Sequence, residues 1–292
     1  MPMRIDAHHH LWDLNAVHYP WLMEAGAVRF FGDPTPIQRD FLLDEFRGLA
    51  TAEGFAGSVH IQVGAEDGYA EAAWVQAVAE AHPDWPMAQV VFCDLTSDDL
   101  EAQLDRFQAL STVRGVRQII GRAPGEDART GTNALLDDPR FLRGLRMAGA
   151  RGLSFDLQLL PELMEKTASV VAQAPDTAVA LCHAGSPHDR SAEGLKAWSD
   201  KLVSMSDLQN VTCKLSGLGM FDHGWTAARI APIVETCLAQ FGAERCMFGS
   251  NFPVDSLSSD YATLVAAYEA LVPEANKASV FGATAARFYQ MA

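Results

Sequence analysis

The chain is short of positive charge. Its 292 residues carry 22 lysines and arginines against 37 aspartates and glutamates, a formal net charge of −15. Such a surface repels phosphate backbones and anionic bilayers, which argues against nucleic acid and membrane as partners. No apolar run approaches the roughly 20 residues of a membrane-spanning helix. The N-terminus lacks a basic stretch followed by an apolar one, so no secretory leader is expected. Cysteines number five, an odd count. Cys93, Cys182, Cys213 and Cys246 fall in or beside strand-like runs, where thiols pack as small apolar groups. The expectation is a cytoplasmic protein with reduced cysteines. No Gly-x-Gly-x-x-Gly follows a strand, which removes the main support for a dinucleotide fold. Linkers, repeats and low-complexity segments are missing too, so residues 1–292 are expected to form one domain.

Hydrophobic residues make up 49% of the chain, enough for a large core. Short apolar, β-branched runs recur at Arg4–His8, Ser58–Val63, Gln89–Cys93, Gly115–Ile120, Leu153–Leu157, Val179–Cys182, Val211–Leu215 and Cys246–Gly249. Between them lie helix-like stretches at Phe41–Glu53, Tyr69–Ala81, Asp98–Leu110, Pro139–Ala148, Pro161–Ala174, Ala192–Met205, Thr226–Phe241 and Asp260–Leu271, with Asn276–Gln290 closing the chain. Regular alternation of this kind predicts an α/β fold, a parallel (β/α)8 TIM barrel. Residues 15–40 contain no clear element. They follow the first strand, so their Tyr19, Pro20, Trp21, Phe30 and Phe31 form either a lid over the barrel mouth or a satellite core.

In such a barrel the chemistry collects at the C-terminal ends of the strands. His8 and His10 end the first strand and share a face, while His9 points the other way. Gln62 lies in the second strand, Arg117 in the fourth, Asp156 in the fifth and Lys214 in the seventh; His183 follows the sixth, and Asn251 and Asp255 follow the eighth. A core built for stability alone has no use for a polar group on nearly every strand, because burying each one unpaired costs kilocalories. Arg117 reads as a fixed donor to substrate, or as an interior arginine paired with Asp156.

Ile5-Asp6-Ala7-His8-His9-His10-Leu11-Trp12-Asp13 followed by Tyr19-Pro20-Trp21-Leu22 resembles the opening of the amidohydrolase-related lactonases. The resemblance continues through Gly115-Val116-Arg117, Cys182-His183-Ala184-Gly185-Ser186-Pro187, Cys213-Lys214-Leu215-Ser216-Gly217-Leu218 and Phe248-Gly249-Ser250-Asn251-Phe252-Pro253-Val254. It implies a (β/α)8 barrel and a hydrolase that opens a small lactone from sugar-acid or aromatic-acid catabolism. It gives His8, His10 and His183 the role of metal ligands or of direct carbonyl polarisers. Gln62, Arg117, Asp156, Lys214 and Asn251 become substrate-binding candidates. Where the family usually carries an aspartate as general base, this chain has Asn251. A neutral amide neither takes a proton from water nor binds a cation strongly. Asp255, four residues on, is then the candidate catalytic carboxylate, or else a loop cap. Three imidazoles imply at most one weakly held zinc, or none. A small-molecule substrate is the expected partner, with a homo-oligomer left open. The alternatives are a related metal-dependent decarboxylase and a non-catalytic binder on the same barrel.

Overall fold

The computed structural model describes residues 3–27, 29–126 and 131–291. Eight parallel strands pair in chain order: β1 (Ile5–His9), β2 (Gly57–Ile61), β3 (Met87–Phe92), β4 (Val113–Arg117), β5 (Ser154–Leu157), β6 (Val179–Leu181), β7 (Val211–Leu215) and β8 (Cys246–Phe248). A helix follows each in turn: α1 (Leu43–Ala52), α2 (Gly68–Ala81), α3 (Leu100–Gln108), α4 (Pro139–Ala150), α5 (Met164–Val171), α6 (Ala192–Ser206), α7 (Ala227–Phe241) and α8 (Tyr261–Leu271). The order never crosses over, so the sheet curls into the single (β/α)8 barrel that the alternation predicts. Several helices start where a short polar side chain meets the first free amides. Asp67 accepts from Tyr69 and Ala70, Ser191 from Gly194, and Asp260 from Thr263.

Strand side chains alternate between two cores. Ile5, Ala7, Val59, Ile61, Ala88, Val90, Ala180 and Met247 fill the barrel, where Ala285 and Tyr289 of the C-terminal segment join them. The opposite strand faces pack under the helices in a second, larger apolar layer. All five cysteines are free and buried. Among the described residues no helix is long and apolar enough to cross a membrane.

Three expected helices differ from those found. Pro161–Ala174 opens as a 3₁₀ turn at Pro161–Leu163 before α5 begins. Phe41 does not start α1; its backbone pairs with Trp12 in both directions, at 3.0 and 2.9 Å. The expected Asn276–Gln290 helix is broken into Glu274–Ala278, a π-turn at Ser279–Ala283 and Thr284–Phe288. Gly282 sits in that turn against the N-terminal segment, where a Cβ would lie 2.1 Å from the Met3 carbonyl oxygen. The described residues of 15–40 hold a single helical turn (Pro20–Met23), a 3₁₀ turn (Thr35–Ile37) and an isolated bridge between Arg29 and Gly32. Trp21 packs edge-on to Trp12 and Phe31, and Phe30 lies over Phe221. Val17, Tyr19, Leu22, Phe31 and Ile37 pack into the large apolar layer rather than into a core of their own, and the segment also faces the barrel mouth.

The ladder runs from β1 to β8, and the seam between those two strands is closed by other means. Asp6 Oδ1 accepts from the amides of His8 (3.1 Å) and Ser250 (2.9 Å), and its Oδ2 accepts from the Tyr261 hydroxyl (3.0 Å). Above it the His10 amide donates to the Phe252 carbonyl, and the Asn251 amide to the His8 carbonyl, both at 2.7 Å. Asp6→Ala is expected to cost about 2–4 kcal/mol in urea denaturation, because it strands two buried amides worth roughly 1–3 kcal/mol each. Tyr261→Phe, which removes a single donor, is expected to cost less.

Candidate active site

An extra residue in β1 aims its histidines. The β1–β2 register pairs Asp6 with Ser58 but His9 with His60, so a bulge lies between. Strict alternation would set His8 opposite Ile5 and Ala7, away from the interior. The bulge turns His8 inward and keeps His10 beside it, their ring centroids 5.1 Å apart. His9 is left outside, stacked on Phe46 at 3.8 Å. At Gly249 a Cβ would lie 2.5 Å from that of His8, so only glycine lets β8 pass this close.

His183 reaches the same point by a different device. After β6 the backbone enters the left-handed region at His183, Ala184, Gly185 and Ser186. For the three with side chains this costs free energy, and it swings the ring over the barrel axis. His183 comes to 4.6 Å from His8, centroid to centroid. Its Nδ1 lies 3.0 Å from Ser216 Oγ. Asn251 is also left-handed, with φ of 57°. It sits opposite His10, with Oδ1 3.3 Å from His10 Nε2.

These groups floor a cavity of about 530 Å³ at the C-terminal end of the barrel. His10, His183, Gln62, Arg117 and Asn251 contribute to its wall. His8 is buried directly beneath. Asp156 and Lys214 do not reach the wall. They pair with each other deeper in the barrel, where the Tyr289 hydroxyl donates to the same carboxylate. Arg117 is not the partner of Asp156. Its Nη1 donates to the Gln62 carbonyl at 3.1 Å, its Nη2 donates to Gln158 Oε1, and its Nε is buried with no partner. Asp255 also lies off the wall, buried behind Asn251, whose Nδ2 donates to Asp255 Oδ1 at 2.9 Å. Gln158, Arg29 and Arg122 line the cavity and were not expected as site residues; Trp21, expected only as part of a lid or satellite core, lines it too. Arg29 had one signal, a cation directly beside Phe30 and Phe31 in the segment without elements.

Burial sets the charges. His8 and His183 are held well below the ordinary imidazole range, and His10 is pushed down to about 3. Loss of water is the largest cause for each. For His8 and His183 the nearby Arg117 and Lys214 charges and a neighbouring imidazole add to it. Asp255 moves the other way, up to about 7, because burial outweighs the bond from Asn251.

Three neutral imidazoles have the donor chemistry for one divalent ion. Both ring nitrogens of His8 are buried without a partner, and His10 Nδ1 donates to the Ile61 carbonyl at 2.7 Å, the outer bond typical of a ligating imidazole. Among the described residues, however, no group of three or more His, Cys, Asp or Glu stands at ligand positions, so the rings are not a closed cage. Zinc titrated against a chromophoric chelator is expected to find at most one weak site per chain, and His183→Ala should abolish it. Tight zinc that survives prolonged chelation would contradict this.

Residues 5–291 match the Amidohydrolase family. A Sinorhizobium fredii protein called y4mH, described as uncharacterized, is 33% identical, with 98% of each chain covered. An L-fucono-1,5-lactonase of Burkholderia multivorans is 28% identical, covering 99% of this chain and 96% of its own. A crystal structure of a Burkholderia multivorans amidohydrolase with bound zinc has a TM-score of 0.84 at 26% identity, over 99% of this chain and 100% of that one. From its first strand to its last helix, the chain belongs to the amidohydrolase family and is a hydrolase.

Proposed function

We propose that the barrel opens a small lactone by attack of water on the ring carbonyl. The observation that carries this reading is the convergence of His8, His10 and His183 under a single cavity whose wall also presents Arg117 and Asn251. Similarity to named lactonases supports it.

The nucleophile's seat follows from proton bookkeeping. A carbonyl oxygen only accepts, so His10 donates from Nδ1 to Ile61 and presents a bare lone pair at Nε2. A carboxylate also only accepts, so ionised Asp255 holds Asn251 with its amide nitrogen inward and its oxygen facing His10. Two acceptors then lie side by side, and a water molecule that bridges them from the cavity supplies the hydrogens both lack. As that water attacks the carbonyl carbon, its proton passes to His10 Nε2. The carbonyl oxygen becomes the oxyanion and is met by the Arg117 Nε–H, a donor charged at any working pH. Collapse of the oxyanion breaks the bond to the ring oxygen, which takes the proton back from His10 and leaves as a hydroxyl. A divalent ion, where bound, would be held by His8, His10 and His183 and would polarise the carbonyl and acidify water.

Asp255 is in this reading a positioning residue. Once protonated it donates to the Asn251 oxygen, the amide turns over, and Nδ2 fills the lone pair of His10. Water then loses its seat. Activity is therefore expected to rise as pH increases through about 7, the value to which burial raises Asp255. Asp255→Asn should remove that limb from the kcat/KM profile and lower kcat, by less than the roughly 10²–10⁴-fold typical of a direct base. The same variant should melt higher above pH 7. A carboxyl raised from 3.8 to about 7 contributes stability that is complete below 3.8 and is lost as pH rises through 7. An unchanged profile in Asp255→Asn would remove it from the site.

Arg117→Met tests the oxyanion contact. It is expected to lower kcat/KM on a lactone by the equivalent of about 2–4 kcal/mol, with kcat falling as well as KM rising. Wild-type kinetics would exclude Arg117. A screen of purified protein against sugar lactones, read by acid release, tests the reading as a whole.

A further inference from the structure

Among the described residues, the glutamines that line the cavity are Gln62, Gln118 and Gln158. A glutamine amide has an acceptor at one end and two donors at the other, so its bonds fix which end faces the cavity. Gln118 is used up at both ends. Its Oε1 accepts from the Leu95 amide at 3.0 Å, and its Nε2 donates to Asp94 Oδ1 at 3.1 Å. Gln158 is bonded at one end. Its Oε1 accepts from Arg117 Nη2. A guanidinium only donates, so the oxygen must face the arginine and the nitrogen must face away from it. Among the described residues no acceptor meets that nitrogen. Gln62 is held in the same sense, with Oε1 on the Gly64 amide at 2.9 Å, but it hangs from backbone rather than from Arg117.

The backbone under Gln158 is fixed as well. The residue directly follows β5, and its carbonyl accepts from the amides of Ile120 (3.0 Å) and Gly121 (3.2 Å), just past the strand that carries Arg117. Nη2 is the terminal nitrogen that shares an edge of the planar guanidinium with Nε–H. The Gln158 amide is therefore held next to the one Arg117 donor that is buried without a partner.

We propose that Gln158 Nε2 is a second donor to the lactone carbonyl oxygen and closes an oxyanion hole with Arg117 Nε–H. The inference rests on the lactonase reading of the site and adds a catalytic residue to it. Arg117 supplies the charge, and Gln158 supplies a neutral donor whose direction Arg117 itself sets. A donor already in place costs no reorganisation as the oxyanion forms.

Gln158→Met keeps the length of the side chain and removes the amide. On a lactone that the enzyme opens, kcat is expected to fall about 10²–10³-fold, the cost of one oxyanion-hole donor, with KM moving less than about threefold. A double-mutant cycle separates direct donation from a role exercised only through Arg117. Arg117→Met combined with Gln158→Met should be slower than Arg117→Met alone by about tenfold or more. Gln158→Glu keeps an acceptor for Arg117 but loses the N–H, so it replaces Gln158→Met, in the cycle too, if that variant does not fold. Its kcat should fall as well. Wild-type kcat in Gln158→Glu, or a double variant no slower than Arg117→Met, overturns the proposal and leaves the lactonase reading standing. If no lactone is opened, that reading fails instead. Calorimetry with gluconolactam, which presents a ring carbonyl oxygen in an amide, then decides the donor: weaker binding in Gln158→Glu upholds it, and equal binding or none overturns it.

Discussion

Asp6 lies between the first and last strands of the barrel, and its two oxygens hold what no ladder of strand bonds holds. A barrel needs its edges joined, and here the join is a buried carboxylate with three donors and two short backbone bonds above it. Both histidines that reach the cavity from this end of the chain, His8 and His10, hang from that join. The His8 amide is one of the donors, the His8 carbonyl accepts from Asn251, and the His10 amide reaches across to Phe252. The closure that makes the sheet a barrel also sets two imidazoles and the amide opposite them.

Much of this was legible in the sequence. Runs of β-branched residues separated by amphipathic stretches gave the strand count. His8, His10 and His183 were visible because strand ends carry chemistry in this architecture. What stayed hidden was local geometry with no residue signature. The bulge in β1 needs no glycine or proline, and the left-handed run from His183 to Ser186 uses two residue types that ordinarily avoid it. Tertiary contacts impose these conformations, and no window of sequence reports them.

Depth was hidden as well. Asp156 and Lys214 have the same strand-end look as Arg117, yet the structure spends the first two on each other and on Tyr289. Tyr289 comes from the end of the chain, 133 residues from Asp156. The height at which a polar side chain leaves a barrel strand depends on tilt and stagger, which alternation alone does not supply. Arg29 escaped for the opposite reason. Its segment has almost no regular structure, so nothing in its pattern said which way it would face.

The Asp156–Lys214 pair beneath the floor and Arg117 above it place charges at both ends of the imidazole cluster. Their field, added to burial, keeps His8 and His183 in the neutral form. An ordinary surface histidine gains a proton below about pH 6.5 and then rejects any electrophile. These rings do not enter that competition while the barrel stays folded. Any Lewis acid or carbonyl that reaches them meets an open lone pair, and its capture releases no proton from the rings to the solvent. The floor of the cavity is in that sense insulated from bulk acidity, and the pH response around it passes to the buried carboxyls behind it, Asp255 and Asp6, which burial raises to about 7 and about 6.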